Sequence, residues 1–583
     1  MAQMKQINRT IAAKSLTAFF CLIFFIPYVP AQDIAEIDFD PKIDGFSFKN
    51  YGNDKTEWED DLDTDDMIRL FGAKGACKSG TTAKDCVLKE AAARWLKESP
   101  KAMEIGHCEG ISVAGLRMKN AMPFKKRMSP IDFQANAKSP FGLKLTQPLE
   151  NYIAYYWITQ RFDEVTIPTQ EMAEAGPVEI AKALISSFKT KDEIFTLGLS
   201  KLEKSVEFDG HTITPFAVEE TTGQYKIHVY DNNFPGETRF LYINKTGNEQ
   251  WTYNGTENPK AKPDYVGDKT TETLDITATS WREGKCFNAS FVKGRDLSKN
   301  CGTDLARIEN PFFTNISFKE NPKIQPETED VEFFLTGNGE MLVTDGDGNR
   351  IGYDPKTDTV YDEITDGISE DLVGGLGIDL PHFTFPYEES ENPYQIVFSG
   401  KYLDEESTLD FVFSAPGFTV GFSDLRLDPN ETLTATISSD GEEISFTASK
   451  DGETPEVFYA FDPENDSEAS YLTIIEGVQL TGGKKLYYNF DFDNEKLFFS
   501  DDDGNEDSYD IELVRVLANG TRQVYTQSDL DIGKADRYEM DFGSWDGKGK
   551  MCFKDDEDGD GFDDEECTQE ADDNTDNEFD NER

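Results

Sequence analysis

The sequence predicts a multidomain chain: an α+β N-terminal domain, then antiparallel β-sandwich domains, then an acidic tail. Three observations carry this. Between residues 67 and 188 apolar side chains recur at helical spacing. From about residue 265 short apolar or alternating runs lie between Gly, Asp and Asn turns, the pattern of antiparallel sheets. After residue 550 the chain is rich in Asp and Glu. The expected division is a leader over 1–31, an α+β domain over 32–264, a β-rich domain over 265–375, a β-sandwich over 376–550 and an acidic segment over 551–583.

The chain opens with Lys5, Arg9 and Lys14 ahead of the apolar run Leu16 to Val29, with Pro30 and small Ala31 at its edge. That order reads as an export signal peptide, so a secreted, extracellular, cell-surface or periplasmic location is expected. The run is short and proline-flanked for a membrane span, and no later stretch reaches spanning length, so no transmembrane segment is expected in the mature chain. Composition adds a restriction: 113 acidic against 57 basic residues give a formal charge of −56. Such a field repels nucleic acid and anionic lipid and attracts divalent cations.

Of the 8 cysteines, Cys21 falls in the leader. Six others are near neighbours: Cys77 with Cys86, Cys286 with Cys301, Cys552 with Cys567. In an oxidising compartment these are natural disulfides closing short loops. Cys108 is left over, and an unpaired thiol in an exported chain is a candidate nucleophile.

Along the chain, Phe46 and Phe48 alternate with polar residues as a short strand, and the acidic run Glu59 to Asp66 leads into a helix at Met67 to Phe71. Val87, Ala91, Trp95 and Leu96 predict a helix over Asp85 to Lys97, stopped by Pro100. Ile111, Ala114, Leu116 and Met118 extend another from Cys108, where Gly106 and Gly110 permit a tight turn and close approach of a substrate. A thiol there faces the positive end of the helix dipoles, which favours the thiolate, the form that attacks. Helices follow over Leu149 to Phe162 and Pro177 to Phe188. Gln160 and Gln170 receive no role.

Two strands, His211 to Val218 and Gln224 to Asp231, flank the turn Thr221-Thr222-Gly223. A fold about residue 221 sets His211 opposite Asp231, so that the carboxylate orients the imidazole toward a thiol. A slip of one residue puts Asn232 there instead. His107, His228 and His382 read as structural.

The strings Gly106-His107-Cys108-Glu109-Gly110, Gly210-His211 and Val229-Tyr230-Asp231-Asn232-Asn233-Phe234-Pro235-Gly236 together resemble the papain-like cysteine peptidase superfamily. They are similar in particular to its bacterial branch with the peptidase domains of bacteriocin-exporting transporters. The likeness covers roughly residues 40 to 255. It implies a papain-like α+β domain acting on a peptide or protein substrate through nucleophile Cys108, base His211 and orienter Asp231, by way of an acyl-enzyme. The chain departs from the pattern in one respect: residues 98 to 107 contain no Gln to bind the oxyanion. The Cys108 N–H supplies one donor, and Asn50 or Asn53 is the candidate second.

In the β region, Thr344-Asp345-Gly346-Asp347-Gly348-Asn349 reads as a Gly-rich hairpin turn. Near the end, Asp556, Asp558, Asp560, Asp563 and Glu566 repeat carboxylates around Gly559 and Gly561. This stretch resembles the calcium loops of thrombospondin type 3 repeats, since calcium takes six to eight oxygens from a bent loop. Two functions follow as expectations. One is a secreted cysteine peptidase with structural calcium and no organic cofactor; the other is a catalytically inactive, calcium-stabilised surface or adhesion protein.

Overall fold

The computed structural model describes residues 33–52, 62–119, 128–191, 193–203, 206–258, 260–282, 287, 329–369, 371–452, 455–463, 465, 467–477, 479–491, 494–502, 507–532, 537–556 and 564–570. The fold is mixed α/β, with its longer helices in the N-terminal half and antiparallel sheets throughout. No described helix is long and apolar enough to cross a membrane.

The helices are α1 (Thr64–Ala76), α2 (Glu90–Glu98), α3 (Cys108–Lys119), α4 (Pro130–Phe133), α5 (Gln147–Ile158), α6 (Asp163–Ala175) and α7 (Pro177–Thr190). A capping box between Asp63 and Asp66 starts α1 four residues or so before the apolar pattern begins. The disulfide Cys77–Cys86 ties the short strands that follow it. Helix α6 was not expected, because Pro168 interrupts its pattern. The aromatic run Tyr152, Tyr155, Tyr156 and Trp157 on α5 is core.

Behind α3 lies an eight-stranded antiparallel sheet in the order Leu274–Ala278, Phe195–Glu203, Val206–Glu220, Gln224–Tyr230, Thr238–Asn244, Trp251–Tyr253 and Tyr265–Gly267. Asp33–Glu36 adds to its third strand. Strand pairing therefore crosses the boundary expected at 264/265, since Tyr265–Gly267 and Leu274–Ala278 complete this sheet.

Pairing also crosses the boundary expected at 375/376. Asp330–Leu335 pairs with His382–Pro386 and Ser407–Ala415, and Glu340–Thr344 pairs with Tyr394–Ser399. One nine-stranded and one eleven-stranded sheet run through residues 330–570 and share a single core. Alternation explains the near-continuous apolar strands of the nine-stranded sheet. Phe333, Phe411, Phe413 and Val457 belong to the shared core, while their neighbours Phe334, Val412 and Phe458 join the hydrophobic cluster of the N-terminal helices, with Leu70, Trp95 and Phe162.

Buried charges stitch the same junction. Arg161 donates to Glu332 over 2.8 Å, and Glu332 also meets His382 at 2.9 Å. Arg94 is held between Glu98 and Glu456. This packing places one hairpin of the β half, Leu372–Val373 paired with Asp379–Leu380, against the start of α3.

Candidate active site

Cys108 opens α3 and is the free cysteine among the described residues, fully buried. Its position is set by the turn before it. Gly106 closes a 3₁₀ turn at φ 112°, a conformation that L side chains rarely adopt. His107 then caps the helix, accepting the N–H of Ile111 on its carbonyl. Gly110 lets α3 lie on α5, since a Cβ there would come within 2.1 Å of the Ile153 carbonyl oxygen.

His211 reaches the thiol from the sheet. Its Nε2 lies 2.8 Å from Asp231 Oδ1, and Nδ1, on the Cys108 side, makes no hydrogen bond of ordinary geometry. The N–H of Thr212, the residue after His211, donates to Cys108 Sγ over 3.4 Å and ties the thiol to that strand. Asp231 is itself held: Oδ1 accepts the Asn233 N–H at 2.8 Å and Oδ2 accepts the Tyr253 hydroxyl.

His211 and Asp231 meet without being cross-strand partners, which corrects the expected register. His211 pairs with Leu199 on the other neighbouring strand, and the hairpin ladder begins only at Thr214 with Tyr230. A bulge between Pro215 and Ala217 shifts the register, and the chain leaves the strand after Tyr230. The carboxylate therefore reaches the ring from the turn. Asn232, the alternative orienter, does other work: its Nδ2 donates to Cys108 O, Ser112 Oγ and Thr212 O, clasping helix to sheet.

The electrostatics follow from burial and contact. Desolvation alone depresses the His211 pKa, but the Asp231 carboxylate, its hydrogen bond and the Cys108 sulfur outweigh this and raise it to about 10. Asp231 is pushed up by burial and down by the imidazole and its hydrogen-bond donors, with a net lowering. His107 behaves oppositely. Buried and stacked on Tyr51 at 4.4 Å, with Nδ1 donating to Tyr51 O at 2.8 Å, it falls to about 4 because of desolvation.

The Leu372–Leu380 hairpin fills the cleft between helix and sheet. The Gly374 carbonyl oxygen accepts the Cys108 N–H at 3.3 Å and Asn50 Nδ2 at 2.7 Å. Asn50 is aimed by its own Oδ1, which accepts the N–H of His107 at 2.8 Å. Val373 is gripped by Gln160, whose Oε1 accepts its N–H at 2.9 Å, and by Trp157, whose Nε1 donates to its carbonyl at 3.1 Å. Asn233 Nδ2 donates to Gly375 O at 3.2 Å.

Sequence reasoning thus had Cys108, His211, Asp231 and Asn50, which the fold brings together. It passed over Tyr253 and Asn233 and left Gln160 without a role. Only Asn233, adjoining the predicted acid, carried a local signal. Asn53, Cys286, Cys301, Asp558, Asp560 and Asp563 lie outside the described residues, as do the side chains of Asp556 and Glu566. Cys552 and Cys567 are register partners across two strands, their side chains likewise undescribed. Among the described residues no cluster of His, Cys, Asp and Glu could hold a metal ion. No family model, curated protein or solved structure matches the chain.

Proposed function

We propose that the chain is an exported cysteine hydrolase of papain-like type that cuts peptide bonds through Cys108, His211 and Asp231. The observation that supports this most is the Gly374 carbonyl, held by the Cys108 N–H and the Asn50 amide beside a thiol that interacts with His211. Two such donors on a carbonyl are what an oxyanion needs as charge develops. A raised imidazole pKa makes His211 the stronger claimant for the proton that the thiol gives up. Asp231 fixes the tautomer, with Nε2–H toward its carboxylate and Nδ1 toward sulfur.

In this reading the thiolate attacks the acyl carbon, His211 protonates the departing amine, and water then frees the acyl group. The disulfide Cys77–Cys86 supports an oxidising compartment. Calcium belongs to the same proposal, at the carboxylate stretch 556–566. Asp555 and Asp564 are register partners, so paired strands bring its ends together. The test is hydrolysis of a peptide library by full-length Gly374→Val, in which a side chain at 374 clashes with the Ile105 carbonyl and displaces the hairpin from the cleft, beside the same chain carrying Cys108→Ala or His211→Ala. Activity lost in both variants supports the proposal; activity kept in either removes it.

A further inference from the structure

We infer that the hairpin Leu372–Leu380 is the protein's own substrate, cut between Gly374 and Gly375 by Cys108. This rests on the hydrolase reading and adds the bond that is broken. Its basis is that the chain presents one particular peptide unit to the site, with its carbonyl on two donors and the residues on either side held by hydrogen bonds. The Gly374 oxygen sits on the two oxyanion donors, so Gly374 C is the electrophile. The residue before it is held on both its N–H and its carbonyl by Gln160 and Trp157. The residue after it is held through its carbonyl by Asn233, the neighbour of the acid.

Sterics select glycine on both sides of the bond. A Cβ on Gly374 would lie 2.2 Å from the Ile105 carbonyl oxygen, which is backbone and cannot swing away. A Cβ on Gly375 would lie 2.3 Å from His211 Nδ1 and 3.0 Å from Cys108 Cβ, and its φ of +77° is itself strained for any L side chain. The site surface is equally bare: a Cβ on Gly106 would meet the Gly374 oxygen at 2.3 Å, and one on Gly210 would meet Val373 Cγ1 at 2.2 Å. Four glycines from three distant parts of the chain thus interlock around Val373, Gly374 and Gly375. The closeness of Gly375 to His211 Nδ1 also puts the leaving nitrogen's residue against the proton donor.

The step balances without any outside reagent except water. Cys108 sulfur bonds to Gly374 C, the C–N bond to Gly375 breaks, and His211 gives its Nδ1 proton to the Gly375 nitrogen. Water then adds its hydroxyl to the thioester carbon and returns a proton to the Cys108–His211 pair. The products end in a Gly374 carboxylate and begin with a Gly375 amine. Because the substrate is tethered, the reaction is first order and needs no encounter. Strands from both sides of the cut remain paired, Asp330–Leu335 with His382–Pro386 and Glu340–Thr344 with Tyr394–Ser399. The nicked protein therefore stays one particle until denatured.

The experiment incubates the purified full chain and reads it by denaturing mass spectrometry and N-terminal sequencing. Cys108→Ala and Gly374→Val run in parallel, and iodoacetamide labelling of Cys108 is measured in Gly374→Val with and without His211→Ala. The expected result is a fragment beginning Gly375-Leu376-Gly377, formed at a rate unchanged by dilution and missing from both single variants. An intact native chain with His211-dependent labelling overturns self-cleavage and leaves the hydrolase standing. An intact chain with labelling indifferent to His211 overturns both. A cut at another bond, or one that persists in Cys108→Ala, also overturns the inference.

Discussion

Asn50 donates its side-chain amide to the Gly374 carbonyl over 2.7 Å while its own carbonyl oxygen accepts the backbone N–H of His107 over 2.8 Å. One residue therefore links the turn that sets the helix start to the atom on which charge would build. Asn50→Ala removes one of two donors and is expected to slow acyl transfer about 10²- to 10³-fold. The unfolding free energy should fall by about 1–3 kcal/mol, because the buried His107 N–H and Gly374 carbonyl lose their partner. Single-turnover acylation by a peptide ester, read beside a denaturant melt, checks both.

The His211–Asp231 pair makes stability depend on pH. The imidazole pKa rises from an ordinary 6.5 to about 10, so the folded protein holds a proton that the unfolded chain releases. The stabilisation is complete below pH 6.5 and drains away as pH climbs through about 10. Asp231→Asn removes the cause. Melting curves across that interval should slope downward more steeply for the native chain than for the variant; parallel slopes would refute the pairing.

Glu332 works in the opposite direction. Burial raises its pKa, but Arg161 and His382 overcome this and bring it from 4.5 to about 2. Its contribution is whole above pH 4.5 and is lost as pH falls through about 2. Glu332→Ala leaves Arg161 buried without its carboxylate and is expected to cost about 3–5 kcal/mol at neutral pH. Urea unfolding at pH 7 and pH 3 should show the variant's deficit shrinking in acid.

Calcium is testable through stability alone. Calcium held at the carboxylate stretch 556–566, as proposed, would stabilise the chain by mass action. Addition of a chelator should lower the melting temperature of the C-terminal strands, and readdition of calcium should restore it. A melt indifferent to both would remove calcium from the proposal.

The site was legible in the sequence wherever its chemistry was local. A lone cysteine between glycines at a helix start, and a histidine and an acid flanking one hairpin, name themselves by type and order. Their exact meeting was not legible, because the bulge at Phe216 and the exit from the strand after Tyr230 are backbone choices. Asn50 could be nominated but not aimed, since its direction depends on His107 N–H. The hairpin at Gly374 lies 266 residues from Cys108 in sequence, and nothing in its composition points there. The β region read correctly as strands and turns. Which strands pair across residue 375 is a tertiary matter, decided by faces such as Phe333 inward and Phe334 outward.

The central claim is that Cys108 is activated by His211. The most direct measurement is the second-order rate of Cys108 alkylation by iodoacetamide against pH, in full-length Gly374→Val, whose displaced hairpin opens the cleft. With His211 present, labelling should persist into mildly acidic solution and exceed that of the His211→Ala double variant by about 100-fold or more near pH 6. Equal rates, rising together only as an ordinary thiol ionises, would contradict it.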